Sequence, residues 1–340
     1  MTKSMSTASR KSALYDFGKV AATLLVVFAH GARMYTEHGV YAPVLPSRFM
    51  AGVHDVIYGF HMPFFMFLAG CVYGFCVERG KYQKSLAFLR NKAGKLLIPY
   101  FSFGIAYVAP AMVLLGLTGQ SYGGYLLEGI LLSQNSRHLW YILALFWIFL
   151  LAIPVSKIPL RGPAKAAVVM AVSGVLFLCA RFVPDRFQLY NTLTYQLYFF
   201  SGAVFNGLYE RFERIPKWWK RGLFLISVSA LFTVFSPESG RIFHLIRAFS
   251  GIIMMLLLLQ SLQRRFPKIS AAPLYKLLKK NTFGIYLFHP IIIYWLFSKL
   301  SGLHLMPTAL VTAVSLTALA ASILATGLMR RLRLQILIGE

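Results

Sequence analysis

The sequence has few of the groups on which common enzyme motifs depend. It has three cysteines, and Cys71, Cys76 and Cys179 lie in apolar stretches without a CxxC pair, so neither a disulfide framework nor a zinc site is predicted. It has no P-loop, GxSxG elbow, HExxH or paired-carboxylate pattern. ATP hydrolysis, serine hydrolysis and zinc proteolysis therefore have no motif to support them.

Charge is also scarce, and it is mostly of one sign. Only 13% of the 340 residues are charged, whereas 58% are hydrophobic and the mean hydropathy is +0.64. This balance excludes a typical soluble domain and a disordered chain. The 35 Lys and Arg outnumber the 10 Asp and Glu, which gives a net charge of +25.

Long apolar stretches are what the sequence does contain. A helix needs about 20 mostly apolar residues to cross the hydrocarbon core of a bilayer. Ten stretches approach this length: 17–36, 55–77, 96–117, 139–156, 164–181, 189–209, 222–236, 243–262, 282–300 and 307–329. They predict an all-α, polytopic transmembrane bundle of about ten spans, with 1–340 as one integral membrane domain and no separate soluble domain.

The distribution of positive charge tests this count. With ten spans and both termini in the cytoplasm, most of the 35 Lys and Arg fall in the cytoplasmic loops, as the positive-inside rule requires. Because the charge is divided among short loops that contain no nucleic-acid-binding motif, a nucleic-acid partner is not predicted. The bilayer is the expected surrounding.

Ionisable residues within spans are costly and are therefore functional candidates. Lys19 and His30 are eleven residues apart in the first span, which places them on one helix face about 16 Å apart along the axis. A purely structural explanation of this pair is also available: Lys19 would reach the lipid headgroups, and His30 would form a hydrogen bond to a neighbouring helix. Asp16 is too far along the helix to orient His30, so any partner of His30 must come from another helix.

Lys92 and Lys95 stand just before the third span, three residues apart. If the helix already runs there, they share a face and form an anion site at the cytoplasmic mouth that suits a CoA-like nucleotide. The alternative is ordinary positive-inside charge.

Other ionisable or polar side chains lie at membrane depth in later spans. Tyr286 and His289 precede Pro290, which leaves an upstream carbonyl without its helical donor and indicates a cavity-lining position. His61 lies similarly near Pro63, although a hydrogen bond between helices would explain it as well. Arg247 stands near the outer start of the eighth span, where an anionic acceptor or lipid headgroups would attract it.

Five segments, in this order, resemble the acyltransferase-3 family of bacterial integral membrane proteins. Tyr15 to His30 resembles its opening helix, whose signature is a basic residue and a histidine separated by ten residues, here Lys19 and His30. The other segments, scattered along the chain, are Phe60 to Gly70, Lys92 to Tyr100, His138 to Ile142, and Gly284 to Pro290. In the third of these, Lys92 and Lys95 replace the usual pair of arginines, so they would bind phosphate as point charges without bidentate geometry.

The resemblance implies a membrane O-acyltransferase in the bacterial cytoplasmic (inner) membrane. The donor would be an acyl-CoA, most often acetyl-CoA, used as a co-substrate, and no permanently bound cofactor or metal is expected. Lys19, Lys92 and Lys95 would bind the CoA phosphates, and His30 would be the general base for a carbohydrate or lipid-linked glycan hydroxyl. His289 would assist it in catalysis, and Tyr286, His61 and Arg247 would contact substrate; an acyl-histidine relay also fits.

Two other classes of function agree with ten spans and buried histidines. One is a transporter or exporter of a polysaccharide or small solute. The other is a non-catalytic scaffold in a polysaccharide-assembly complex. The placement of the basic residues and the lack of visible inverted repeats favour the enzyme.

Overall fold

The computed structural model describes residues 6–158, 162–233 and 240–340. In these ranges the chain is 82% helical and contains no strand, which confirms the predicted all-α class. The α-helices, numbered in chain order, are α1 Thr7–Ala32, α2 Arg48–Tyr58, α3 His61–Glu78, α4 Ser85–Phe103, α5 Ala109–Leu114, α6 Tyr122–Tyr125, α7 Trp140–Ser156, α8 Gly162–Cys179, α9 Leu189–Arg214, α10 Lys217–Thr233, α11 Arg241–Arg265, α12 Pro273–Leu300 and α13 Pro307–Arg331.

Eight helical segments among the described residues are long and apolar enough to cross a membrane. They are Thr7–Tyr35, Arg48–Glu78, Ser85–Leu114, Arg137–Ser156, Gly162–Phe182, Arg241–Arg265, Pro273–Leu300 and Pro307–Arg331. The other two predicted spans correspond to α9, which carries polar Gln196 and Asn206, and to α10, whose predicted range 222–236 ends outside the described residues. The count of ten and the cytoplasmic termini stay predictions.

The second predicted span, 55–77, differs from the structure in two ways: the helical segment starts earlier, and it is divided into two helices. The helical segment already begins at Arg48, and it is interrupted where α2 ends at Tyr58 and α3 begins at His61. Pro63 explains part of the interruption, because a residue without a backbone N–H is accommodated best in the first turn of a helix. The break brings α2 and α3 together at one end of the bundle.

The first helix is longer than the predicted span 17–36, since it starts at Thr7. Its added turns carry Lys11, which is buried because its ammonium group lies 3.0 Å from the carboxylate of Glu78 at the end of α3. These turns could not be predicted from the apolar run, because they contain charged residues whose burial depends on an ion pair with another helix.

Ion pairs join several helix termini at the end of the bundle where α1 begins. Besides the contact of Lys11 with Glu78, Arg10 pairs with Glu213 near the end of α9 at 2.9 Å. We call this end the basic rim. Its cations include Arg10, Lys11, Lys19, Lys92, Lys95, Lys217, Lys220, Arg221, Arg264, Arg265 and Lys279.

Helices α1 and α12 run side by side in the same direction from the basic rim. At the rim, Asp16 of α1 pairs with Lys279 of α12 at 2.7 Å and with Lys19 at 2.9 Å. Farther along, the ring of His30 in α1 contacts the ring of His289 in α12. Because α1 is continuous through both residues, Lys19 and His30 share one face, as their spacing predicts, and Asp16 and His30 are side chains of α1 that contact α12.

Helices α3 and α9 approach each other to backbone contact. A Cβ atom at Gly70 would lie 1.8 Å from the carbonyl oxygen of Phe199, and one at Gly202 would lie 1.9 Å from that of Phe67. Only glycine fits at these two positions. The crossing fixes the spacing of the helices that carry His61 and the polar start of α9.

Candidate active site

A cavity of about 400 Å³ lies at the end of the bundle opposite the basic rim. We call it the histidine cavity. Several helices contribute imidazole, phenol, amide and charged side chains to its lining, among them His30, Arg33, Tyr58, His61, Arg137, His138, Trp140, Asp185, Gln188, Asn191, Tyr195, Tyr286 and Tyr294. Such a mixture of aromatic and polar groups is suited to a polyhydroxylated ligand.

His30 lies in the wall of this cavity near the end of α1. Its Nδ1 atom is buried and has no hydrogen-bond partner among the described residues. Its ring packs edge-on against that of His289, with 5.0 Å between the ring centroids, and lies 6.1 Å from the ring of Tyr58. The rings that contact His30 thus belong to α2 and α12.

His289 stands behind His30 and is fully buried. Its Nδ1 lies 2.7 Å from the carbonyl oxygen of Ile285. Because a carbonyl oxygen only accepts, Nδ1 carries the hydrogen of the neutral ring and Nε2 carries the lone pair. Within the described ranges that Nε2 has no hydrogen-bond partner.

Backbone carbonyls orient two more histidines in the same way. His61 Nδ1 donates to the carbonyl of Ile57 at 3.0 Å, and His138 Nε2 donates to the carbonyl of Leu287 at 3.0 Å. The free lone pairs are therefore on Nε2 of His61 and on Nδ1 of His138. The ring of His138 also lies 6.3 Å from that of His289.

The sequence did not indicate His138 as a site residue, although it belongs to one of the resembling segments. It precedes α7 by two residues. Its place at the cavity depends on α12, which packs beside it and accepts its ring hydrogen at the carbonyl of Leu287. Tyr286, a predicted substrate contact, lines the cavity and donates its hydroxyl hydrogen to the His138 carbonyl. In the structure this hydroxyl helps to position His138.

Amide side chains at the start of α9 form a polar part of the cavity that the sequence also did not indicate. Asn191 Nδ2 donates to Gln188 Oε1 at 2.6 Å, and Gln188 donates to Ser133. Since α9 was predicted only as an apolar span, its polar first turn had no assigned role. Asp185 and Arg137 add one charge of each sign to the same lining.

Arg247 is buried in α11, and its Nη2 donates to the carbonyl oxygen of Asp55 at 2.7 Å. It also packs against Gly59, so it supports the end of α2 that presents Tyr58 to the cavity. Its predicted contact with substrate stays a prediction.

The predicted phosphate-binding lysines have different surroundings at the basic rim. Lys19 is paired with Asp16, as described above. The ammonium group of Lys92 faces aromatic rings, 4.2 Å from the centroid of Phe149 and 5.2 Å from that of Tyr82. The structure thus gives Lys92 a cation–π environment.

Lys95 instead lines a separate cavity of about 430 Å³ between α4 and the C-terminal segment. Arg90 and Asn91 line it as well, together with Glu340. The Arg330 guanidinium donates to Glu340 at 2.7 Å, and this hydrogen bond holds the pKa of the carboxyl below its usual range. Lys95 thus borders an open space, whereas Lys92 faces aromatic rings.

No group of three or more His, Cys, Asp or Glu side chains in residues 6–158, 162–233 and 240–340 could hold a metal ion. The lining of the histidine cavity offers imidazoles, phenols and amides, together with the charges of Arg33, Arg137 and Asp185.

The chain matches the acyltransferase domain of the acyltransferase-3 family over residues 13–327. It belongs to this family. The resemblance of the five segments is thereby confirmed, and this acyltransferase-3 protein is a multi-pass membrane acyltransferase. Comparison with curated proteins gives no match, nor does comparison with solved structures.

Proposed function

We propose that this protein is a membrane O-acyltransferase of the bacterial cytoplasmic membrane. It would move an acyl group, most simply acetyl, from cytoplasmic acyl-CoA to a hydroxyl of a cell-surface or exported carbohydrate. The observation that carries this proposal is the position of His30 in the wall of a polar, aromatic cavity, where its Nδ1 is buried and its ring packs edge-on against that of His289.

The tautomers around His30 support its role as the base. His289 Nε2 and His138 Nδ1 both carry lone pairs, so they cannot bond to each other while both rings are neutral. His30 Nδ1 and His289 Nε2 form no hydrogen bond as the rings are placed, but the rings are in contact, so a small reorientation of His30 would let a hydrogen on its Nδ1 supply the missing donor to His289. His30 Nε2 would then be left with a lone pair directed to the cavity, where an acceptor hydroxyl would bind.

The reaction follows from that arrangement. His30 Nε2 takes the proton of the acceptor hydroxyl while its oxygen attacks the thioester carbonyl carbon. A C–O bond forms, the C–S bond breaks, and the imidazolium returns its proton to the leaving thiolate of CoA. His289 would hold the His30 ring in the required tautomer, in the way that an oriented partner holds the histidine of a catalytic triad.

The acyl group and the acceptor would reach the cavity from different directions. Lys95 and its cavity at the basic rim would receive the phosphates of the donor, with a contribution from Lys19 and Lys92. The amides of Gln188 and Asn191 and the rings that line the histidine cavity would bind the carbohydrate. Because Lys19 and His30 are about 16 Å apart along α1, an extended thioester arm is the kind of donor that joins the two ends.

The test is CoA release by purified protein in nanodiscs, supplied with acetyl-CoA and a chemically deacylated envelope polysaccharide fraction. We expect acceptor-dependent release by the wild type. His30→Ala should lower it by about 100-fold or more, which is the usual contribution of a general base. His38→Ala changes an exposed histidine outside the cavity lining and is the matched control.

Full activity of the His30→Ala variant would exclude His30 as the base. A wild-type protein that neither binds nor consumes acetyl-CoA, yet carries labelled polysaccharide into vesicles, would overturn the acyl-CoA proposal in favour of transport.

A further inference from the structure

A second large cavity, of about 880 Å³, lies between α10 and α11 at the basic rim. We call it the α10–α11 cleft. Its apolar part is formed by Phe224 and Leu225 of α10 and by Leu257 and Leu258 of α11. Leu225 and Leu258 are exposed, although the chain otherwise buries many of its leucines. This part of the cleft is thus an unpartnered apolar surface on a membrane-embedded bundle.

Five cations line the same cleft: Lys217, Lys220, Arg221, Arg264 and Arg265. No carboxylate is among its lining residues. None of the five forms an ion pair with a carboxylate in the part of the chain that the structure describes. Elsewhere at the rim, Arg10, Lys11 and Lys19 each have a carboxylate partner. Glu213 interacts with Lys220 and Arg264 from outside the lining, but one carboxylate does not balance five cations, so the cleft keeps an excess of positive charge.

Gln260 is an independent indication of a ligand. It lines the cleft with only 5% of its surface exposed, and its Oε1 accepts a hydrogen bond from Lys220 Nζ at 2.8 Å. Since an ammonium group only donates, this contact fixes which end of the amide is oxygen. The amide Nε2 is buried and has no acceptor among the described residues, so an acceptor oxygen is missing from the cleft.

The position of the cleft favours a lipid over a soluble anion. Trp218 and Trp219 lie beside it at the start of α10, both exposed and stacked with 4.6 Å between their ring centroids. Exposed tryptophans at the end of a membrane helix are typical of the boundary between headgroups and acyl chains. The cations then lie at headgroup level, and the leucines lie at the level of the chains.

We propose that the α10–α11 cleft binds one anionic phospholipid. The phosphate oxygens accept hydrogen bonds from Gln260 Nε2 and from the arginines, and one acyl chain lies along Leu225 and Leu258. The site is at the end of the bundle opposite the histidine cavity, and it does not depend on the reaction proposed above.

The test uses the full protein in mixed detergent micelles, with quenching of tryptophan fluorescence by brominated phosphatidylglycerol. Brominated phosphatidylcholine is the comparison lipid, since it has the same phosphate and chains but no net charge. We expect saturable quenching by phosphatidylglycerol at concentrations roughly tenfold or more below those that phosphatidylcholine requires.

Two variants locate the binding site. Arg264→Gln with Arg265→Gln removes two of the cations, and Gln260→Leu removes the buried amide. Each should weaken phosphatidylglycerol binding by roughly tenfold while leaving phosphatidylcholine quenching unchanged. The control is Lys81→Gln with Lys84→Gln, which removes two exposed positive charges elsewhere. Size-exclusion profiles and melting temperatures establish that each variant is folded.

Equal quenching by the two lipids would overturn the proposal, because it would show only unspecific contact with the surrounding lipid. Displacement of the brominated lipid by inorganic phosphate or by acetyl-CoA would also overturn it, because the cleft would then be a site for soluble phosphates. Unchanged lipid selectivity in both variants would place the bound lipid elsewhere.

Discussion

The histidine cavity and the basic rim differ in how the fold holds their ionisable side chains. In the cavity, His61, His138 and His289 each donate one ring hydrogen to a backbone carbonyl. At the rim, Lys19 has a carboxylate partner and Lys92 has aromatic rings. Carbonyl partners determine which ring nitrogen carries a hydrogen, whereas carboxylates and rings only compensate a charge.

This difference supports the proposal that the two ends have different tasks. A set of imidazoles with defined tautomers is an arrangement for moving a proton. A set of partly compensated cations is an arrangement for attracting an anion and leaving it free to depart. Residues within the rim also differ in how readily an anion could reach them. Lys95 borders an open cavity, whereas the ammonium group of Lys92 faces aromatic rings.

The largest effect that tests this comparison is expected at His289. In His289→Phe the buried acceptor behind His30 is lost, and we expect CoA release to fall on the order of 100-fold because the base is misoriented. His289→Gln keeps an acceptor oxygen and should recover part of the rate. The measurement is kcat against pH for both variants.

Equal losses in the two His289 variants, with unchanged pH profiles, would show that His289 acts only in packing. His304→Phe, at an exposed histidine between α12 and α13, is the matched control and should retain wild-type activity.

The next effect concerns donor binding at the rim. Lys95→Gln should raise the KM for acetyl-CoA by roughly tenfold with little change in kcat, because a contact to a charged phosphate is lost. Lys92→Gln should raise this KM by less than Lys95→Gln does, and it should lower the stability by about 1 to 2 kcal/mol, since a desolvated cation–π contact is lost. Steady-state kinetics and thermal melting separate the two outcomes, and the reverse pattern would exchange their roles.

A smaller effect on activity is expected when Tyr286, which helps to position His138, is changed. Tyr286→Phe removes the hydroxyl that donates to the His138 carbonyl, at a cost of about 1 kcal/mol. We expect kcat to fall severalfold while the KM for acetyl-CoA is unchanged. Tyr275→Phe, near the start of α12, is the control at the other end of the same helix. A loss confined to KM would show that Tyr286 contacts the substrate directly.

The smallest effect is expected at Glu340. Its lowered pKa means that it contributes stability above the ordinary pKa of a glutamate, and that this contribution is lost as the pH falls through the lowered value. Because the pair with Arg330 is partly exposed, Glu340→Gln should cost less than about 1 kcal/mol at pH 7. Melting curves at neutral and acidic pH should converge for wild type and variant at the acidic end.

Periodicity and composition were sufficient for the features that depend on one helix at a time. The shared face of Lys19 and His30 follows from the pitch of a helix, and α1 is continuous through both residues. The break between Tyr58 and His61 was not predicted, because hydropathy does not distinguish one long apolar helix from two shorter ones.

Features that depend on several helices could not be predicted in this way. The tautomer of His138 is set by a backbone carbonyl of α12. Asn191 lines the cavity because the first turn of α9 lies at the cavity wall. Lys92 and Lys95 are equivalent as charges in the sequence, yet α7 supplies aromatic rings to only one side of α4. Such assignments require the neighbours that a helix acquires in the folded bundle.

The glycine crossing of α3 and α9 also restricts how the protein can change shape. Because the backbones touch at Gly70 and Gly202, these two helices cannot slide or roll against each other without collision, and they move as one body. His61 on α3 and Asn191 on α9 therefore keep a constant separation during turnover. Any widening of the cavity that admits a bulky ligand must therefore involve the rest of its lining, which comes from α1, α2, α12 and the segment that leads into α7.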